Sequence, residues 1–420
     1  LTVHQLSFEG PDGYSSAGGL GVRVTGLANA LAATGVATDL YFVGDPDLPA
    51  IELRNRVTLR RWCQHISRHA RAGVYDAGED KIADLCTWWP AHVADRVHAD
   101  AAAGIHTIVL AEDWHTVWPL IGLHHELERR GLRSAATLAW TANNRFGFDR
   151  IDFGQLAQAA TILTISRAMK HLMWNSGVNP LVVPNGIPDD VFTPIDDVTQ
   201  QMWAESFADR TTLAKVGRWD PDKRWHMAIG TVATLRNRGE RAILLARGWD
   251  GNAAAATHYA ELRQHAAAIG LEWTTCDGPV RSGDELAHAL SASLPPQSGI
   301  VELTQSIAGA TLQSFYAGTS AVLANSGFEP FGLVGLEAMA AGALVITGAT
   351  GEDYVESYVN GFALDTDAPQ EIVRAIDWTR RQPHRTASIR SAAIATADRY
   401  RWPQMVERIW LALDLPAVTR

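Results

Sequence analysis

The chain reads as an α/β protein built from two doubly wound parallel-sheet domains. Its 420 residues exceed what a single hydrophobic core usually supports, so two domains of roughly 200 residues each are expected. Short β-rich apolar runs alternate with helix-length segments. The runs are continuous instead of strictly alternating, which marks strands buried on both faces. The series occurs twice, and between the two lies VPNGIPDDVFTPIDD, whose Pro, Gly, Asn and Asp set a boundary near residues 184–198.

In the first domain, residues 1–190, the expected strands are VHQLSF (3–8), TDLYFV (38–43), HTIVLA (106–111), ATLAWTA (136–142), TILTIS (161–166) and LVVP (181–184). In the second, residues 198–400, they are TLAKVG (212–217), AILLARG (242–248), GLEWTT (270–275), SGIVEL (298–303), SAVLAN (320–325) and ALVIT (343–347). The tail beyond Pro383 reads as helical, and a helix over about 402–420 could cross back over the first domain. Two such domains imply a cleft between facing strand ends, where open α/β sheets bind ligands.

Composition narrows the function. With 47% hydrophobic and 20% charged residues there is apolar material for a full core in each domain. A formal charge of -10 argues against general nucleic-acid binding, because phosphate backbones select basic faces. Cys63, Cys86 and Cys276 are odd in number and form no CxxC pair, so neither a disulfide framework nor a zinc site is expected, and a reducing cytoplasm fits. No apolar run approaches the roughly 18 residues that span a bilayer, and the first segment is strand-like instead of a secretory leader. The fifteen tryptophans are read first as core residues and second as faces for sugar rings. Residues 54–71, RNRVTLRRWCQHISRHAR, hold six arginines and no acid. They read as a solvated helical face; an anionic acceptor or peripheral contact with a lipid surface is the alternative use.

The segment richest in chemistry is SGFEPFGLVGLEAMAAG, residues 326–342. A helix beginning near Leu333 and ending at Gly342 turns its unpaired N–H groups toward Phe331 and Gly332, which makes a phosphate site. Glu337 follows one turn later, on the order of 6 Å away, about the span from a nucleotide's phosphate to its ribose. KVGRWDPDKRW, residues 215–225, follows the first strand of the second domain. There Asp220 reads as an N-cap, Pro221 as the first helical residue and Lys223 as a first-turn cation set against the helix dipole, while Arg218 points into the same space. Together Arg218 and Lys223 suit a diphosphate; alone, each reads equally as a surface cation paired with Asp220 or Asp222.

Two segments of the first domain are weaker candidates. SSAGGLGVRVTGLANALAATG, residues 15–35, places Gly18, Gly19 and Gly21 ahead of an amphipathic helix, where backbone N–H groups can approach a phosphate or sugar. It matches neither the dinucleotide fingerprint nor a Walker loop. AEDWHT and WTANNRFGF end consecutive strands and present Asp113, His115, Asn143 and Asn144, each of which could equally cap a helix or turn.

In this order, GGLG, EDWHT, SRAMKH, VPNGI, VGRWDPDK and FEPFGLVGLEAMAAG resemble the retaining glycosyltransferases of GT-B fold that include glycogen, starch and sucrose synthases. The resemblance covers nearly the whole chain and implies two Rossmann-like domains facing across a cleft. It implies that Glu329 holds hydroxyls of the donor sugar, that Phe331, Gly332 and Leu333 offer backbone N–H groups, and that Glu337 binds the ribose. Arg218 and Lys223 would neutralise the departing nucleoside diphosphate, and Gly19 would approach the donor from the first domain. Asp113, His115, Asn143 and Asn144 would meet sugar or acceptor. Neither metal nor cofactor is expected, because those cations and the helix terminus carry the electrostatic load; the triplets Asp45-Pro46-Asp47 and Asp220-Pro221-Asp222 are better explained as turns. One departure is Asn143, where the family often carries a histidine in a T-x-H-N segment; an amide hydrogen-bonds but cannot become a cation. The expected activity is transfer of a hexose, best matched to glucose from UDP-glucose, to a saccharide acceptor. The alternatives are a non-hydrolysing nucleotide-sugar epimerase and a non-catalytic nucleotide-sugar-binding subunit.

Overall fold

The computed structural model describes residues 1–249, 253–295, 299–348 and 350–415. The chain forms two compact units, Leu1–Gly186 with Arg401–Arg420, and Ile187–Tyr400. Both are α/β, and each carries one sheet that is parallel throughout except for one edge hairpin in the first.

In the first unit the strands are β1 (Thr2–Leu6), β2 (Ala37–Val43), β3 (Ile51–Arg54), β4 (Val57–Trp62), β5 (Thr107–Glu112), β6 (Ala136–Ala142), β7 (Thr161–Thr164) and β8 (Leu181–Val182). Their order is β3-β4-β2-β1-β5-β6-β7-β8. Strand β1 lies between β2 and β5, in register Thr2↔Ala37 and Thr2↔Thr107. The direction of winding reverses there, and open sheets take ligands at the carboxyl ends beside such a reversal. Helix Gly19–Ala33 returns from β1 and buries Leu20, Val24, Ala28 and Ala32 against Leu40, Phe42, Val57 and Leu59. The spacing of four keeps those residues on one face, and burial of each larger side chain contributes roughly 1.5–3 kcal/mol.

The second unit's strands are β9 (Thr211–Arg218), β10 (Ala242–Trp249), β11 (Glu272–Cys276), β12 (Gly299–Leu303), β13 (Ala321–Ala324), β14 (Val345–Thr347) and β15 (Phe362–Ala363), in the order β11-β12-β10-β9-β13-β14-β15. The reversal falls at β9, between β10 and β13. Its core gathers Trp219, Trp225, Leu244, Leu323 and Ile346 with the buried faces of the flanking helices. Helix starts follow local chemistry in both units. Asp152, Ser166, Asp196 and Ser282 each accept the N–H three residues on, the N-cap bond that satisfies an otherwise orphaned donor.

All twelve runs expected as strands overlap one, with ends that differ by a residue or two. The segment 54–71 differs from its expectation: in place of a solvated helix it forms the end of β3, the whole of β4 and the short helix Gln64–Ser67. Its charges are answered from outside the segment. Arg61 is fully buried on Asp12 at 2.7 Å and also meets Glu52, Arg60 pairs with Asp39 at 3.0 Å, and Arg71 pairs with Asp47 at 2.6 Å. Four of its six arginines therefore face acids of the same unit, Arg54 pairing with Glu52 as the fourth. The signal was legible in V-T-L-R-R-W, where Val57, Leu59 and Arg61 alternate inward as a strand requires.

Helix Trp402–Ala412 packs in the first unit. The Trp402 ring lies where a Cβ on Gly26 or Gly186 would stand, within 2.5 and 2.4 Å of it. That close approach explains a glycine in the middle of the Gly19–Ala33 helix.

Candidate active site

In the second unit the expected residues gather at the carboxyl ends of β9 and β13. Arg218 is the last residue of β9; its side chain is about half exposed and pairs with Asp220 at 2.9 Å. Asp220 makes no cap bond to the turn that follows. Pro221–Lys223 form a single 3-10 turn, Arg224 takes a left-handed φ of 51°, and the α-helix begins only at Trp225. Lys223 therefore stands on a turn ahead of the helix instead of in its first turn, which corrects the sequence expectation. The physical reason is that Asp220 is drawn to the Arg218 guanidinium, leaving the turn uncapped.

Lys223 Nζ contacts the Glu329 carboxylate, which also accepts from Ser326 Oγ at 3.1 Å. The Glu329 loop is held from two sides. Gly327 N–H donates to Asp222 O at 2.7 Å, and Glu329 N–H donates to Thr350 Oγ1 at 3.1 Å. Gly351, at φ 73°, lies so close that an added Cβ would stand 1.9 Å from the Glu329 carbonyl oxygen.

Gly332 caps the helix Leu333–Ala340, and the left-handed Gly342 follows its end. Tyr354 Oη donates to Gly332 O, and Phe331 is buried against Tyr354 and Tyr400, with centroids 5.8 and 6.2 Å away. Phe331 thus anchors the turn from below. Glu337 is half-buried as a residue, with its carboxyl closed in by neighbours; burial, with the Asp190 carboxylate adding to it, pushes the group up to about 7.

Three buried groups here were not singled out from sequence. Lys215 lies within β9, its Nζ 2.6 Å from Asn325 Oδ1 and 5.2 Å from the Trp225 ring centroid; burial holds its ammonium well below the usual lysine range, with Lys223 adding to the effect. Glu352 is buried with neither carboxyl oxygen hydrogen-bonded, and burial, then Glu329, pushes it well up. Tyr354 is the third. A lysine inside a doubly buried run was a readable signal for Lys215; nothing local marks the other two.

In the first unit, Gly19 opens its helix and is exposed, with open space where a side chain would begin. The loop before it already holds an anion. Glu9 Oε2 accepts from the N–H groups of Ala17, Gly18 and Gly21 at 3.2, 3.1 and 3.0 Å, and Tyr75 Oη donates to Oε1 at 2.5 Å. An outside phosphate would compete with Glu9 for the N–H groups of Ala17, Gly18 and Gly21, whereas the N–H of Gly19 is not among those Glu9 takes.

Asp113 follows β5 with φ 69° and ψ 170°, a conformation unusual for a residue with a side chain. Asn144 Nδ2 donates to its Oδ2 at 2.7 Å, and burial pushes its carboxyl up to about 7. His115 stacks on Phe8, with centroids 4.2 Å apart, and meets the tilted Trp114 ring at 3.8 Å; burial, with the Arg150 cation adding to it, lowers its imidazole to about 3. It is neutral at physiological pH. Asn143 Nδ2 donates to Glu112 at 2.8 Å, and Glu112 is in turn bound by Arg23 at 3.0 Å. Asp113, His115, Asn143 and Asn144 thus form one polar group at neighbouring strand ends. The triplet Asp45-Pro46-Asp47 is a turn in which Asp47 N–H donates to Asp45 Oδ1.

Residues 296–396 match the family described as Glycosyl transferases group 1. The second unit carries a glycosyl transferases group 1 domain, and the chain has the GT-B fold. Among solved structures the chain is similar to sucrose-phosphate synthase from Thermosynechococcus elongatus, with a TM-score of 0.68 and 17% identity over 98% of this chain and 97% of that one. It is similar also to HepE of Anabaena in complex with UDP-glucose, with a TM-score of 0.63 and 17% identity over 98% and 99%. At that identity the likeness speaks for the fold. A relative by sequence is the D-inositol 3-phosphate glycosyltransferase of Frankia alni, 26% identical over 95% of both proteins. No helix of the described residues is long and apolar enough to cross a membrane.

Proposed function

We propose that the protein is a retaining hexosyltransferase that moves glucose from UDP-glucose to a hydroxyl of a sugar or polyol. The observation that carries this reading is the Lys223–Glu329 contact beside the N-terminus of helix Leu333–Ala340. A cation, a carboxylate and a helix N-terminus at the reversal of the sheet suit a sugar joined to a diphosphate: the carboxylate takes sugar hydroxyls, the others take phosphate, although the Leu333 N–H, expected to face the ligand, donates to Phe331 O at 3.1 Å. As the glycosidic bond breaks, negative charge builds on the leaving diphosphate, and Lys223, Arg218 and the backbone after Gly332 stabilise it without a divalent cation. The acceptor hydroxyl attacks the same face of the sugar and passes its proton to the leaving phosphate, so no protein nucleophile is needed. Glu337 holds the ribose.

The bound UDP-glucose of HepE supports the choice of donor. The name of the Frankia relative supports a cyclic polyol or sugar as acceptor. The test is a donor panel assayed for nucleotide release with and without mixed saccharides and polyols, in the presence of EDTA, followed by NMR of the product's anomeric proton. Acceptor-dependent UDP release with a retained anomer is expected. Isomerised donor without transfer would make the protein an epimerase, UDP-glucose binding without release would make it a binding subunit, and an inverted anomer would overturn the mechanism.

A further inference from the structure

In the first unit, three buried atoms beside the Glu9 loop lack hydrogen-bond partners: Asp113 Oδ1, His115 Nδ1 and Asn143 Oδ1. Their residues are 1%, 5% and 8% exposed, so water does not freely supply what is missing. All three can accept a hydrogen bond, Asp113 when its carboxyl, raised to about 7, is ionised. Asp113 offers a carboxyl oxygen, Asn143 has committed its NH₂ to Glu112, and the neutral His115 presents a lone pair at Nδ1 in the tautomer protonated at Nε2. An aromatic stack joins them to Glu9: His115 lies 5.4 Å from Tyr75 and 4.2 Å from Phe8, and Tyr75 donates to Glu9.

Much of the donor capacity of this region is committed. The N–H groups of Ala17, Gly18 and Gly21, which would welcome an outside anion at a glycine loop, converge on Glu9, and the Arg23 guanidinium is bound to Glu112 and Asn185. A phosphate group in place of a hydroxyl brings acceptors and a charge of the same sign as Glu9. A free hydroxyl brings the donors that the three orphaned atoms lack.

We propose that Glu9 is a specificity-determining residue that fills the anion-binding loop from within, so that this subsite accepts the hydroxyls of an uncharged sugar or polyol and rejects its phosphate esters. This rests on the transferase reading and sharpens it, because it separates the protein from relatives named for a phosphorylated acceptor.

The test is calorimetric titration of inorganic phosphate into the UDP-saturated protein, in which the donor's own phosphate positions are already filled. Wild type is expected to bind no phosphate in the millimolar range. Glu9→Ala, which uncovers three N–H donors and removes a like charge, is expected to bind it at least about 10²-fold more tightly than wild type, since like-charge juxtaposition costs several kcal/mol. If that variant does not fold, Glu9→Gln keeps the shape, removes the charge and is expected to gain about tenfold. In parallel, UDP release is measured with myo-inositol and with inositol 3-phosphate as competing acceptors or inhibitors. Equal phosphate affinity in wild type and variant, or wild-type preference for the phosphorylated compound, would overturn the inference. Failure of wild type to bind UDP would instead sink the choice of UDP-glucose as donor, and the phosphate titration without UDP, compared between wild type and variant, would still judge Glu9.

Discussion

Replacing Glu337 with glutamine should make the second unit more stable and the enzyme worse at holding its nucleotide. Burial raises this carboxyl from 4.5 to about 7, with Asp190 adding to the shift. At about 1.4 kcal/mol per pH unit, that difference of about 2.5 units corresponds to roughly 3 kcal/mol. The sign follows from where the proton sits. The folded acid keeps its proton longer than the unfolded one, so stability is highest below about pH 4.5, falls as pH rises to about 7, and is level above. Glu337→Gln has no charge to bury and should lack that fall, so the variant should exceed wild type by roughly 2–4 kcal/mol at pH 8 and match it near pH 4.5. Urea unfolding followed by tryptophan fluorescence at both pH values measures this, and the difference between proteins cancels the other titrating groups. If Glu337 binds the ribose, the amide loses one of two charged acceptor positions, and UDP affinity should fall about 10- to 100-fold by calorimetry. Equal stability of the two proteins at pH 8 would refute the burial argument, and wild-type UDP affinity would refute the ribose role.

Lys223→Ala and Arg218→Ala should each lower kcat at saturating donor by at least about 10²-fold, as lost stabilisers of a developing anion do; unchanged turnover in either strips that residue of its role. Gly351→Ala combines a φ of 73° with a Cβ 1.9 Å from the Glu329 carbonyl, so it should cost about 1–3 kcal/mol and displace Glu329. Normal Tm together with normal kcat would show that the loop yields without consequence. Trp402→Ala empties the space over Gly26 and Gly186 and should cost about 3–5 kcal/mol in urea unfolding; a loss below about 1 kcal/mol would mean that helix Trp402–Ala412 contributes little to its unit.

Much of the donor side was legible because it is local. The helix Leu333–Ala340 starts and stops where a turn and Gly342 say it should, and the spacing from Gly332 to Glu337 is a property of helical rise. Central strand runs such as those of β1, β5 and β12 were readable for a similar reason: a strand buried on both faces has no polar alternation to confuse with anything else. The hairpin of β3 and β4 escaped because its arginines read as solvent-facing, whereas Asp12, Asp39 and Glu52, distant or unremarked in sequence, neutralise them. Lys223 was assigned to the right space on the wrong support, since no local rule says that Asp220 prefers Arg218 to the turn it precedes.

Element identity, the two-sheet plan and the acid-bearing helix are written in runs of neighbouring residues, because periodicity and turn chemistry act within a few positions along the chain. What occupies each anion site is decided by residues the chain brings from afar. Lys223 meets Glu329 across 106 positions, and Arg23 meets Glu112 across 89. At the glycine loop even a short separation misled, because Glu9 looks like an ordinary loop acid until β1, the loop and helix Gly19–Ala33 fold it onto three N–H groups. Charge partners are chosen by proximity in space and by the cost of leaving a buried group unpaired. That choice exists only once the fold does.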